Sequence, residues 1–197
     1  MSNRQITGHL TVTKVYKNGI KETIFDDSNV IVSGMGVGLS YLFAGSGSTT
    51  ITDYQLDRFQ LGVSGNPISL DPSTFELSGP LSSIAEYTDT SGSLSALSGK
   101  QVKTGVVSTS VFALIPFSQT TRVDESSVKF TITIDEDSAN NILRDATAAS
   151  LNEIGLFMKN PIGTLTEDRS FLVAFRTFSN IVKTNDFSLI FDWTLNF

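Results

Sequence analysis

The stretch Phe187–Phe197 (FSLIFDWTLNF) constrains this chain more than any other. Phe187, Leu189, Phe191, Trp193, Leu195 and Phe197 occupy every second position, with Ser188, Asp192, Thr194 and Asn196 between them and Ile190 the exception. A period of two is that of a strand with one buried face, so six large apolar side chains are expected on one core-facing row. Burying them would contribute roughly 9–18 kcal/mol before chain entropy is subtracted.

Other segments repeat the pattern. Ile6, Gly8, Leu10, Val12 and Tyr16 share one face, with Lys14 the polar exception, and Thr7, His9, Thr11 and Thr13 share the other. Asn18-Gly19 then predicts a two-residue type I′ hairpin turn, with Ile20–Phe25 as the return strand. Phe59, Leu61 and Val63 alternate, and so do Val128, Phe130, Ile132 and Ile134. Val102–Phe117 has strand character and stops at Pro116. Leu151–Met158 and Phe171–Phe178 are apolar on both faces, which places them centrally in a sheet. Asp135–Ala149 permits a short helix. With eight or nine strands, turn signals between them and no recurring period, the expected architecture is an all-β antiparallel sandwich of jelly-roll type, in one domain spanning 1–197.

Residues 64–105 break this rhythm. They carry three of the five prolines and abundant Ser and Gly, too long a run for an ordinary connection. They read as a loop-rich excursion from the core, with a turn of helix at Leu81–Tyr87. Its aromatics Phe75 and Tyr87 are the candidate interface residues.

Composition narrows the function. Charged residues make up 17% of the chain and the net charge is −6, with no basic cluster beyond pairs such as Lys14 and Lys17. A nucleic-acid surface needs clustered Lys and Arg to neutralise phosphate, so no nucleic-acid partner is expected. With no cysteine, disulfides and thiolate metal sites are excluded. No apolar run approaches the ~18 residues that span a bilayer, and no secretory leader is visible. A soluble protein made in a cytoplasm, with no membrane partner, is expected.

The glycine-rich stretch Ser33–Ser48 (SGMGVGLSYLFAGSGS) follows a strand-like Asn29-Val-Ile-Val and raises the question of a phosphate loop. Gly34, Gly36 and Gly38 break the dinucleotide spacing, and no lysine stands where a P-loop needs one. The alternative is architectural. Asn29 and Ser33 serve as turn and cap residues, Met35, Leu39, Leu42 and Phe43 line one helical face, and Gly45 ends the helix. That helix, near 34–45, would plug an end of the sandwich.

Catalytic constellations fail similar tests. His9 is the only histidine, sits on a threonine-lined strand face and is not accompanied by a G-x-S-x-G elbow. Asp26-Asp27, Asp135-Glu136-Asp137 and Glu167-Asp168 read as turn residues. Asp135-x-Asp137 with Asn140 and Asn141 approaches a Ca²⁺ loop, but Ala139 and Asn140 stand where a ligand and a glycine belong. No catalytic residue, cofactor or metal is assigned.

Two stretches taken together are more specific. A hairpin leads to Asn29-Val-x-x-x-Gly34, a short helix Gly38–Gly45 and a strand ending Gln60-Leu-Gly62-Val-Ser. Later come Leu151-Asn-Glu153-Ile-Gly155-Leu-Phe157, then Ala174-Phe-Arg176-Thr-Phe178, then Ile181-Val-Lys183-Thr184 and a final strand containing Trp193. This order resembles a group of tailed-phage virion proteins and the structural proteins of T4-like cyanophages, over Val15–Gly65 and Leu151–Phe197. The resemblance implies a non-enzymatic structural protein of the tail, neck, baseplate or fibre attachment. Such a protein would be localised in the virion, with other virion proteins and copies of itself as partners. Two alternatives are a capsid decoration protein and a module that binds host surface glycan through Phe75 and Tyr87. Glu153 is expected to pair with Arg176, and Gly155 to mark a bulge or a close backbone approach.

Overall fold

The computed structural model describes residues 5–44, 55–62, 115–140, 143–144, 147–148, 150–158 and 171–197. The excursion 64–105 with Phe75 and Tyr87, the C-terminal boundary of the helix at Gly45, and Glu167-Asp168 lie outside the described residues.

The elements are β1 (Thr7–Tyr16), β2 (Lys21–Ser28), β3 (Val30–Ile31), α1 (Ser33–Ala44), β4 (Leu56–Gly62), β5 (Ile115–Pro116), β6 (Gln119–Arg122), β7 (Ser127–Ile134), β8 (Leu143–Arg144), β9 (Thr147–Ala148), β10 (Leu151–Met158), β11 (Phe171–Ile181) and β12 (Phe187–Asn196). They form two five-stranded sheets, ordered β2-β1-β12-β7-β6 and β3-β11-β10-β4-β5, plus the small pair β8-β9. All registered pairs are antiparallel. The fold is an all-β sandwich. Asn29 carries the chain from β2 to β3, and Phe117-Ser118 from β5 to β6, so the chain crosses between sheets on both sides.

The alternation in β12 becomes its central place in the first sheet. Across β1, β12 and β7 the inward rows read Leu10–Trp193–Phe130, Val12–Phe191–Ile132 and Lys14–Leu189–Ile134. These rows meet Phe59, Leu61, Leu151, Ile154, Leu156 and Phe178 of the second sheet in one cluster. Aromatic rings bridge the sheets at both sides, Phe25–Phe178–Phe191 with centroids about 6 Å apart and Phe130–Phe117 at 4.7 Å. Trp193 is fully buried, yet its Nε1 has no hydrogen-bond partner among the described residues. Its value to the fold is therefore apolar area. Phe197 departs from the expected row. It lies past the last registered pair and is 45% exposed, with its N–H on the Ser126 carbonyl.

The second sheet is buried on both faces, as its apolar strands require. A smaller cluster of Val32, Phe157, Leu172 and Phe175 forms beside the main core. The register of β10 on β11 shifts between Leu156 and Phe157, one residue after Gly155.

Three local expectations are corrected. The β1–β2 hairpin has no type I′ turn. Gly19 donates to the Tyr16 carbonyl and takes φ +83°, while Asn18 stays at negative φ and its Oδ1 accepts the Ile20 N–H. A turn followed by one left-handed glycine gives the chain the same reversal. Asp135–Ala149 forms no helix among its described residues, giving a turn and the short β8-β9 pair. In α1, Met35, Leu39 and Leu42 pack on the core, but Phe43 is 84% exposed. At ~100° per residue Phe43 lies at the margin of the stripe. Gly38 is buried on the packed side, where an added Cβ would collide with Met158 Sδ. Gly38 therefore serves close helix–sheet packing, while Gly36 is exposed with open space around it.

These adjacent leucine and phenylalanine positions give a direct test. Leu42→Asp is expected to abolish soluble folding by burying an unpaired charge. Phe43→Asp is expected to shift stability by no more than about 0.5 kcal/mol. Thermal melts of the two variants check the helix orientation.

Candidate functional site

Because β1, β12 and β7 alternate, with Lys14 and Ile190 the exceptions, the face of the first sheet opposite the core is built mainly from their polar positions. Its rows run Ser28–His9–Thr194–Lys129–Thr121, then Asp26–Thr11–Asp192–Thr131–Gln119, then Thr23–Thr13–Ile190–Thr133. Threonine dominates because it satisfies both demands of the position, a β-branched stem for the strand and a hydroxyl for water.

The charged groups on this face are bonded to their neighbours. His9 Nε2 lies 2.6 Å from Asp26 Oδ1, and Thr11 Oγ1 donates to the same oxygen at 2.8 Å. The contact with His9, then that with Thr11, holds the Asp26 carboxyl below its ordinary range. Thr131 Oγ1 donates to Asp192 Oδ1 at 2.6 Å, with Lys129 Nζ 3.8 Å from that oxygen. A nucleophile–base pair needs the hydroxyl hydrogen-bonded to the imidazole. Here Thr11 and His9 converge on one carboxylate oxygen, so the arrangement ties β1 to β2 and does not activate a hydroxyl.

Asp27 has the neighbouring position in β2 and faces inward, opposite Leu10. Arg176 of β11 reaches it across the sandwich, Nη2 to Oδ2 at 2.5 Å, with the guanidinium 5.3 Å from the Phe25 ring centroid. The Ser28 N–H, then Arg176, depresses the Asp27 carboxyl. This corrects two expectations. Asp26 and Asp27 are strand residues, and Arg176 forms its ion pair with Asp27. Glu153 is buried within β10 and registers with Thr177, while Arg176 registers with Ile154. Adjacent register positions point to opposite faces. Continuing the β3–β11 register by one residue sets Asn29 opposite Arg176. Two resemblance-bearing residues thus fall at opposite register positions near the joint between the sheets.

A second polar cluster was not legible as buried. Lys183 is 3% exposed. Its Nζ donates to the carbonyls of Glu136 (3.2 Å) and Thr184 (2.8 Å) and to Asn140 Oδ1 (3.0 Å), and lies 5.2 Å from the Phe187 ring centroid. Asn140 Nδ2 also donates to the Glu136 carbonyl at 2.6 Å, and Ala139 between them adopts φ +59°. The turn read as a Ca²⁺-like loop therefore aims two of its oxygens at a tethered ammonium. Nothing in the spacing of Lys183 signals this, because Glu136 and Asn140 lie more than forty positions away in the chain. Among the described residues no group of three or more His, Asp or Glu side chains is placed to hold a metal.

Lys183→Met keeps the length of the side chain but removes the donor, leaving the Thr184 carbonyl and Asn140 Oδ1 without it. A loss of about 2–6 kcal/mol is expected, since each of the two acceptors left unsatisfied costs about 1–3 kcal/mol. Chemical denaturation with an unchanged m-value checks it.

No family model, curated protein or solved structure matches the chain.

Proposed function

We propose that this chain is a non-enzymatic structural protein of a tailed-phage virion, a jelly-roll-type sandwich. It works in the tail, neck, baseplate or fibre attachment, through contacts with other virion proteins and with copies of itself. The observation that carries the reading is the outer face of the first sheet. It is a broad field of threonines whose charged groups are paired with their neighbours. Such a face suits an extended, wet, polar contact of the kind found at the rims of protein interfaces.

The resemblance-bearing residues support the same reading. Gly38 seats α1 against Met158, Asn29 and Arg176 stand at the inter-sheet joint, and Trp193 fills the core. Such residues keep a subunit's shape and leave its surface to make contacts.

Mass spectrometry and cryo-electron microscopy of purified particles test the reading. Virions are expected to contain the chain at a fixed copy number, with density missing from particles made without it. A tail-like copy number supports the proposed station, and a shell-like one moves the protein to capsid decoration. Particles identical in composition and shape with and without the gene product would overturn the reading.

A further inference from the structure

Each sheet of the sandwich has two edge strands, and the described edges differ in how they are protected. In the second sheet β3 is two residues long, and the described part of β5, Ile115–Pro116, holds a proline that has no N–H to offer. In the first sheet β2 carries Lys21, Glu22, Asp26 and Asp27, turns Asp27 inward, and has a register shift opposite Val12/Thr13. Short strands, charges, inward acids and bulges are how proteins block edge-to-edge pairing. β6, Gln119-Thr-Thr-Arg122, has no inward acid and one charge. Gln119, Thr120 and Arg122 are exposed.

The ladder fixes which groups β6 offers. Val123 N–H bonds the Ser127 carbonyl, and the register pairs Thr121 with Lys129 and Gln119 with Thr131. In an antiparallel ladder hydrogen-bonded positions alternate. Thr121 therefore bonds β7, the Thr131 carbonyl opposite Gln119 accepts the Ser118 N–H where β6 begins, and the N–H and C=O of Thr120 and Arg122 point off the sheet. The Arg122 side chain is engaged locally, Nε donating to the Asp124 carbonyl at 2.9 Å.

We propose that β6 is a homotypic docking edge that pairs antiparallel with β6 of a second copy about a two-fold axis through Thr121. Three features favour a second copy over another extended segment. In that register Thr120 lies opposite the partner's Arg122 and Arg122 opposite the partner's Thr120. All four outward backbone groups of each strand are then satisfied by exchange of two hydrogen bonds per pair. Thr121 meets its own copy, a favourable cross-strand pair, and no like charges face each other. An even register also keeps core face with core face, so the two threonine fields join into one continuous surface. A four-residue edge buries far less than the ~1,200 Å² of a stable interface, so the association is concentration-dependent in solution and gains from repetition in an assembly. The inference deepens the reading of a subunit that contacts copies of itself.

The chain has no cysteine, so a single introduced thiol reports the pairing cleanly. Thr121→Cys places two thiols at a non-hydrogen-bonded pair, Cα atoms about 4.5 Å apart, within disulfide reach. Gln119→Cys places them about 14 Å apart, beyond it. Under mild oxidation of the purified full-length protein, T121C is expected to give mainly disulfide-linked dimer and Q119C mainly monomer. Adding Thr120→Pro removes an outward N–H that β7 does not use, and is expected to reduce the T121C dimer at least fivefold while far-UV circular dichroism stays unchanged. Equal cross-linking of T121C and Q119C, or a folded T121C that stays monomeric at high concentration, would overturn the proposal. If T120P impairs folding, the comparison of the two cysteine variants still decides. All readouts use isolated protein, so failure here leaves the virion reading standing, and absence from virions leaves this pairing standing.

Discussion

The inward row of β12 is the constraint on which the rest of the structure depends. Phe187, Leu189, Phe191, Trp193 and Leu195 project from the middle strand of one sheet and are all buried. Their area cannot be covered within a single sheet, so a second apolar layer is required. β10 and β11 supply it with long runs of buried side chains, and β4 adds Phe59 and Leu61. Magnitudes rank the contributions. The Arg176–Asp27 pair is 24% and 53% exposed at its side chains, and exposed pairs contribute about 0–1 kcal/mol. Truncating one fully buried leucine of the core costs about 2–5 kcal/mol. Packing holds the sheets together, and the ion pair fixes how their edges meet.

Around that core, polar groups mark the places where the chain changes layer. Asn29, Arg176 and Asp27 cluster where β2 passes into β3. Lys183 binds the turn after β7 to the turn before β12 through carbonyl oxygens of both. Neither cluster offers a hydroxyl aligned on a base. Both are explained as connections between strands, and the polar face of the first sheet is explained by strand periodicity together with water.

The sheets were legible because alternation is a local signal. β1, β7 and β12 could be read residue by residue, and the unbroken apolar character of β10 and β11 marked them as buried on both faces. Local patterns failed where position within the layer decides. Phe197 keeps the parity of its row but lies beyond the last cross-strand partner, and Phe43 sits at the margin of the helix stripe. Asp26-Asp27 resembles a turn in sequence, because two adjacent acids are unusual in a strand. They are accommodated because β2 is an edge and Arg176 arrives from the other sheet. The buried state of Lys183 depends on oxygens contributed by a distant turn, which no local pattern contains. The threonine face was visible on β1 as Thr7, Thr11 and Thr13, but its extent emerged only when register joined five strands.

Native-state hydrogen exchange tests the central claim most directly, that β12's buried row binds two sheets into one cooperative unit. The account predicts that amides of β12, β1, β7 and β10 exchange only through global unfolding, with a common opening free energy, while those of β2 and β6 open at lower cost. Exchange of β12 amides as fast as those of the edge strands, or separate opening energies for the two sheets, would contradict it.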